Sequence, residues 1–420
     1  MLFMLSCLAL LSQTAGQQIG SSPEHHPKLR TQYCSSGSGC SAKDTVIVLD
    51  AQWRELYDVR TGGSCITDAG KLNTSICPTI KACAEHCALD GIDYTGTGVD
   101  VAQDSKVTLK MYEKYQGELV EIGPQIYLLD PNVKQYQNLH LLNQEISFEV
   151  DVSELPCGMN GAIYLAGMDP SGGRSKLNPA GATYGTGYCD SQCYQSYNFI
   201  NGVANLDKKG ACCNEMDLLE ANSRATQYTA HPCRGITGLY ECHGKECGDG
   251  REGVCDSVGC GFNPYGLGDH DFYGIHAKVN TSKPFKVVTQ FHTDDRTSEG
   301  RLLEIRRFYV QDGQTIQNSR FHSENRSYAA LSPDFCRSIQ AKSFHHHDGL
   351  TAIGEALKHG MVLIMGIWGG GYMTWLDSGD AGPCSKKEDQ TGYIKKHSPN
   401  TRVTFSDIRW GDIGTTVQEK

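Results

Sequence analysis

The stretch Cys212-Cys213-Asn214-Glu215-Met216-Asp217-Leu218-Leu219-Glu220-Ala221-Asn222-Ser223 places three carboxylates within six residues, directly behind two adjacent cysteines and among apolar side chains. Read as a strand, successive side chains alternate between two faces, so Glu215 and Asp217 share one while Met216 takes the other. Strict alternation would send Glu220 to the side of Met216. A bulge or twist between Asp217 and Glu220 is therefore expected, and it brings all three carboxylates onto one surface. Like charges this close are unfavourable unless one is protonated or a site uses them, and such crowding separates carboxyl pKa values into acid and base roles. From these residues alone, a solvated acidic strand edge or a calcium site fits as well.

Outward from this segment the chain reads as short alternating runs broken by Gly, Asn, Asp and Ser, the pattern of antiparallel sheets. Strands are expected at 45–49, 125–129, 146–150, 285–289, 361–365 and 402–405. Helical periodicity is weak, with Gly349–His359 the best short candidate. Neither an internal repeat nor a Pro/Ser/Thr-rich linker interrupts the 420 residues, so one large all-β sandwich is the economical architecture. The chain ends soon after its last expected strand, and residues 17–420 are expected to form one domain with no appended binding module.

Residues 1–16, MLFMLSCLALLSQTAG, hold an apolar run without charged side chains and finish on small residues, which suits signal-peptidase cleavage before Gln17. No later run is apolar enough to span a bilayer. A secreted protein, expected to be a monomer, follows. Of 19 cysteines Cys7 falls in the leader, and the even remainder suits a disulfide framework in an oxidising compartment. Cys83 and Cys87, Cys189 and Cys193, and Cys242 and Cys247 are spaced loosely like zinc ligands but lack matching partners, so no metal and no cofactor are expected. Asn73, Asn280 and Asn325 head glycosylation sequons. A formal charge of −10 argues against nucleic acid or an anionic membrane as partner, and a neutral polymer fits better.

The Cys212–Ser223 segment closely resembles the signature of glycoside hydrolase family 7, secreted cellulases whose E-x-D-x-x-E stretch carries the retaining machinery. The resemblance extends to Gly185-Thr186-Gly187-Tyr188-Cys189-Asp190-Ser191-Gln192-Cys193, His231-Pro232-Cys233, Gly261-Phe262-Asn263-Pro264-Tyr265 and Phe405–Gly414, in the family's order from about His26 to Thr416. It implies a β-jelly roll of two large curved antiparallel sheets, concanavalin-like, with long loops, few short helices and a glucan on the concave face. By the family pattern Glu215 resembles the nucleophile, Glu220 the general acid/base and Asp217 the carboxylate that orients and tunes the nucleophile. His231 matches a histidine near the acid/base and the leaving-group sugar. Tyr164, Tyr188, Asp190 and Gln192 match residues around the cleavage point. Trp53, Trp368 and Trp375 fall where members place sugar platforms, Trp368 on the donor side and Trp375 on the acceptor side, whereas Trp410 reads as core. Glu55 stands where many members carry a second tryptophan.

Departures from the pattern bear on activity. The Cys193–Cys212 connection and the run from Trp375 to Cys384 are short, resembling open-cleft, endo-acting members rather than chain-end enzymes whose loops roof a tunnel. Val258 and Gly261 stand where processive members tend to have acidic product-site residues, while Arg251 suggests a partly retained product-side loop and is itself expected to contact substrate. The resemblance thus implies an endo-β-1,4-glucanase acting on cellulose and related β-glucans. A cellobiohydrolase with reduced loops is the nearer alternative. A non-catalytic glucan-binding lectin of the same fold is the other, because function belongs to the site and not to the fold.

Overall fold

The computed structural model describes residues 17–417 apart from Asp249 and Glu324; the expected leader, residues 1–16, lies outside them. Two sheets dominate the chain. One, the cleft sheet, has eight strands, and its main path runs Cys260–Phe262, Thr226–His231, Glu215–Ala221, Met159–Ala166, Met361–Gly369, Gln125–Leu129, Val46–Leu49. The ten-stranded back sheet runs Gln314–Gln317, Leu302–Gln311, Phe285–Thr293, Gln144–Asp151, Arg402–Asp412, Thr31–Ser35, Gly39–Lys43. Neighbours along both paths are antiparallel except Thr31–Ser35 beside Arg402–Asp412, which is parallel. This is the two-sheet sandwich that the alternation implied, in the jelly-roll form that the resemblance implied.

The core lies between the sheets. Ile163, Met216, Leu219, Leu363 and Met365 of the cleft sheet pack in one cluster with Ile146, Phe148, Phe285, Phe291 and Phe405 of the back sheet. Burying each such side chain is worth roughly 1.5–3 kcal/mol. In Phe285–Thr293 the core-facing Phe285, Val287, Thr289 and Phe291 alternate with the half-exposed Lys286, Gln290 and His292, at least over most of its length. The cleft sheet is apolar on its second face too, where Val48, Tyr127, Ala162, Tyr164 and Ile364 form a separate cluster beneath the loops. Trp410 belongs to the core, 6% exposed and edge-on to Tyr33.

Each expected strand is present, several extended by a few residues, and Gly349–His359 is a helix. Short helices such as Ile80–His86, Pro333–Ser338 and Thr391–His397 carry too few turns to show a period in sequence.

All eighteen cysteines among the described residues are paired, in nine disulfides. Cys189–Cys213 and Cys193–Cys212 lash the 189–193 loop against the start of the Glu215–Ala221 strand. Cys157–Cys384, closing 227 residues, ties the start of the Met159–Ala166 strand to the loop behind Trp375. Replacing both Cys157 and Cys384 by serine should lower unfolding free energy by about 2–5 kcal/mol, read from a denaturant midpoint, since the open chain regains loop entropy.

Candidate active site

Glu215–Ala221 is a strand with the expected irregularity. Against Thr226–His231, Asp217 stands opposite Thr229 and Glu220 opposite Gln227, so Leu218 and Leu219 together face the single residue Tyr228. Against Met159–Ala166 the shift falls between Ile163 and Tyr164, which pair with Leu219 and Asp217. Leu218 is therefore the extra residue. Met216, Leu218 and Leu219 enter the core, and Glu215, Asp217 and Glu220 all line a cavity of ≈ 790 Å³ on the opposite face.

Glu215 Oε2 accepts two hydrogen bonds from one residue, Ser191: the backbone N–H at 3.0 Å and Oγ–H at 2.7 Å. The two disulfides of the 189–193 loop bring Ser191 there, and Cys213 N–H donates to Asp190 O at 2.9 Å to complete the seam. Glu220 Oε1 accepts from Asn160 Nδ2 at 3.0 Å, and Asn160 is oriented because its Oδ1 accepts from Ala221 N–H at 3.0 Å. His231 donates from Nε2 to Asp217 Oδ2 at 3.0 Å and from Nδ1 to Asp256 O at 2.9 Å. With acceptors at both nitrogens the ring is an imidazolium. Its partner carbonyl follows Cys255, which is bonded to Cys233.

Burial and the neighbouring charge of Asp217 raise the Glu215 carboxyl to about 8, with His231 pulling the other way. The same two causes push Glu220 well above the usual range. The two carboxyls titrate together, so these shifts belong to the pair: two donors on Glu215 favour its charged form, whereas Glu220 has one amide donor, and the proton that the pair retains rests on Glu220. Burial would lower His231, but the hydrogen bond and charge of Asp217 outweigh it and raise the ring to about 10. Asp190 is lifted by burial to about 6 despite donors that include the backbone of Gln192 and Cys193 and the Tyr197 hydroxyl.

The other expected residues fall on the same cavity. Tyr164, Tyr188, Asp190, Gln192, Trp53, Trp368 and Trp375 all line it. Tyr164 donates to Gln125 Oε1 at 2.8 Å, lies 3.2 Å from the Tyr188 hydroxyl, and meets Trp368 edge-on at 6.3 Å. Trp53 Nε1–H donates to Ile122 O at 3.0 Å, which steadies a ring left 36% exposed. Trp375 is 43% exposed, and Val258, on the same wall as His231, is exposed.

Arg251 is a correction. Its side chain is exposed and does not line this cavity. The loop that carries it is folded against the 342–346 helix, with the Arg251 carbonyl 3.1 Å from His346 Nε2 and the Gly253 carbonyl 3.0 Å from His347 Nε2. Sequence reasoning missed Gln125, Tyr194, Gln227 and Tyr372, which also line the cavity. Exposed tyrosines in a chain rich in tyrosine carry little signal, but Gln125 heads a run of otherwise apolar strand residues and could have been noticed.

The chain belongs to glycosyl hydrolase family 7, whose family model matches residues 19–417. Endo-beta-1,4-glucanase celB of Aspergillus oryzae is 49% identical over 414 residues, 98% of either chain. The native endocellulase EGI of Humicola insolens superposes with a TM-score of 0.89 at 41% identity, over 95% of this chain and 100% of that one. A family 7 cellobiohydrolase from Daphnia pulex superposes with a TM-score of 0.88 at 34% identity, over 95% of this chain and 99% of that one.

Two outcomes follow from this geometry. Ser191→Ala removes the 2.7 Å hydroxyl donor and should lower kcat on the order of 10-fold while leaving KM nearly unchanged, because the lost bond keeps Glu215 ionised and aimed rather than binding sugar. Stability should also depend on pH. A carboxyl raised from 4.5 contributes fully below pH 4.5 and loses that contribution as pH rises towards about 8; His231, raised from 6.5, does so between 6.5 and about 10. Both act in the same direction. The thermal midpoint should therefore fall from pH 5 to pH 8, and fall less in Glu220→Gln, whose amide replaces the carboxyl that holds the retained proton.

Proposed function

We propose that the protein is a secreted, monomeric, retaining endo-β-1,4-glucanase that cleaves internal bonds of cellulose and related β-glucans, with residues 1–16 a leader and the remainder one catalytic domain. The observation that carries it is the division of labour between two buried carboxyl groups: Glu215, charge-stabilised by two donors from Ser191, and Glu220, held in its acid form and aimed by Asn160. In a retaining reaction Glu215 attacks the anomeric carbon as Glu220 protonates the departing glycosidic oxygen. A glycosyl-enzyme ester forms on Glu215. Glu220, now a carboxylate, takes a proton from water, which hydrolyses the ester with net retention. Asp217, bridged to the His231 imidazolium, sets the local field and the orientation of both partners. Rings of Trp53, Trp368 and Trp375 along the cavity supply flat faces for pyranose C–H groups, and the polar groups between them receive hydroxyls.

The internal-cutting mode is supported by the short loops at both rims, by an exposed Val258 where a charged product clamp would stand, and by the likeness to a fungal endo-beta-1,4-glucanase and a fungal endocellulase. The Daphnia likeness keeps chain-end release of cellobiose as the second reading, since fold alone does not separate the two modes.

The test follows viscosity and reducing ends of carboxymethyl cellulose together, for the wild type and Glu215→Gln. A steep fall in viscosity with few reducing ends, lost by more than about 10³-fold in the variant, is the expected result. Reducing ends without viscosity loss would move the assignment to chain-end cleavage, and an unimpaired variant would refute the role of Glu215.

A further inference from the structure

The bulge that turns Glu220 into the cleft has a buried cation beneath it. Arg307 belongs to Leu302–Gln311 of the back sheet, points into the sandwich between Ile305 and Tyr309, and is 3% exposed. Its guanidinium crosses the core to the cleft sheet. Nη2 donates to the carbonyl of Leu218, the extra residue of the bulge. The same group lies over the ring of Tyr228, 4.2 Å from its centroid, and Tyr228 is the single residue that opposes Leu218 and Leu219. Nε donates to Thr289 Oγ1 at 3.2 Å on the adjacent back strand. One planar group therefore touches both sides of the irregularity and anchors it to the opposite sheet.

This placement is unusual on physical grounds. Arginine is seldom fully buried, and when buried it is generally paired with a carboxylate. Here the guanidinium is directed at a carbonyl, a hydroxyl and a ring. The carbonyl of a bulged residue is left out of the regular ladder and needs a donor from elsewhere, which explains why this one is met by a side chain. A ring face adds cation–π attraction in a desolvated setting. The rigid fork and flat shape of guanidinium suit simultaneous donation and stacking in a way an ammonium does not.

We propose that Arg307 is a positioning residue for the acid/base: by clamping Leu218 and Tyr228 it fixes the two-against-one register, and with it the placement of Glu220 relative to Glu215. The inference rests on the reading of Glu220 as the proton donor. Arg307 touches no substrate and acts only through the strand above it. Its loss should therefore damage proton donation more than sugar binding or nucleophilic attack.

The test uses leaving-group dependence. Aryl β-cellobiosides with a 2,4-dinitrophenyl group depart with little protonation, whereas those with a 4-methoxyphenyl group need the acid. Wild type, Arg307→Met, Arg307→Lys and Glu220→Gln are compared by kcat/KM on both. In Arg307→Met the ratio of activated to unactivated substrate should rise on the order of 10-fold, in the direction of Glu220→Gln, because a displacement near 1 Å can cost about 10²-fold in rate. Arg307→Lys, which keeps the charge but not the fork, should recover part of the loss. The ratio is read within one preparation, so it does not depend on the fraction folded, and Arg307→Lys supplies a second variant if methionine prevents folding. Equal loss on both substrates, or no change in the ratio, would overturn the proposal and leave Arg307 a packing residue. Absence of cleavage of both substrates by the wild type would instead refute the glycosidase reading itself.

Discussion

Two residues against one is the constraint on which the site depends. A period of two cannot place residues 215, 217 and 220 on one face, and the insertion of Leu218 corrects the parity by one. The correction serves both faces at once. Above the sheet it gathers three carboxyl groups over the cavity; below, it sends Leu218 and Leu219 into the core in succession. A strand without the bulge would have to bury Glu220 among phenylalanines or expose Leu219 to the cleft, and either error is costly.

The same economy governs the electrostatics. Placing Glu215, Asp217 and Glu220 together and burying all three penalises the charged forms, and the surrounding structure compensates unequally. Ser191 supports Glu215, the His231 imidazolium supports Asp217, and Asn160 alone meets Glu220. Distinct roles for chemically alike groups arise from that inequality. The partners are brought from three different places: a disulfide-bound loop, the strand edge at 231 and the neighbouring strand at 160.

Much of this was legible in the sequence, for an identifiable reason. Alternation is a local property, so the strand around Glu215 and the need for a bulge could be worked out from spacing alone. The aromatic platforms and cleft tyrosines were legible only through family resemblance, because a tyrosine in a strand has no mark of facing a cleft. What could not be read is what depends on distant segments meeting. The cysteine count fixed the number of bridges but not that adjacent Cys212 and Cys213 would reach back to partners four residues apart. Arg251 was misplaced because its loop is held by contacts to His346 and His347, nearly a hundred residues away in sequence. Arg307 had a signal that went unused, since the parity shared with Ile305 and Tyr309 points it inward.

The nested pair of bridges at Cys212 and Cys213 makes the site depend on sulfur chemistry as well as on shape. The carboxylates belong to a strand paired on both edges within the cleft sheet, whereas the donors of Ser191 are delivered by a loop whose two ends are covalently stitched. The alignment of the nucleophile candidate is thereby tied to the redox state of four sulfur atoms that touch neither Glu215 nor Ser191 themselves.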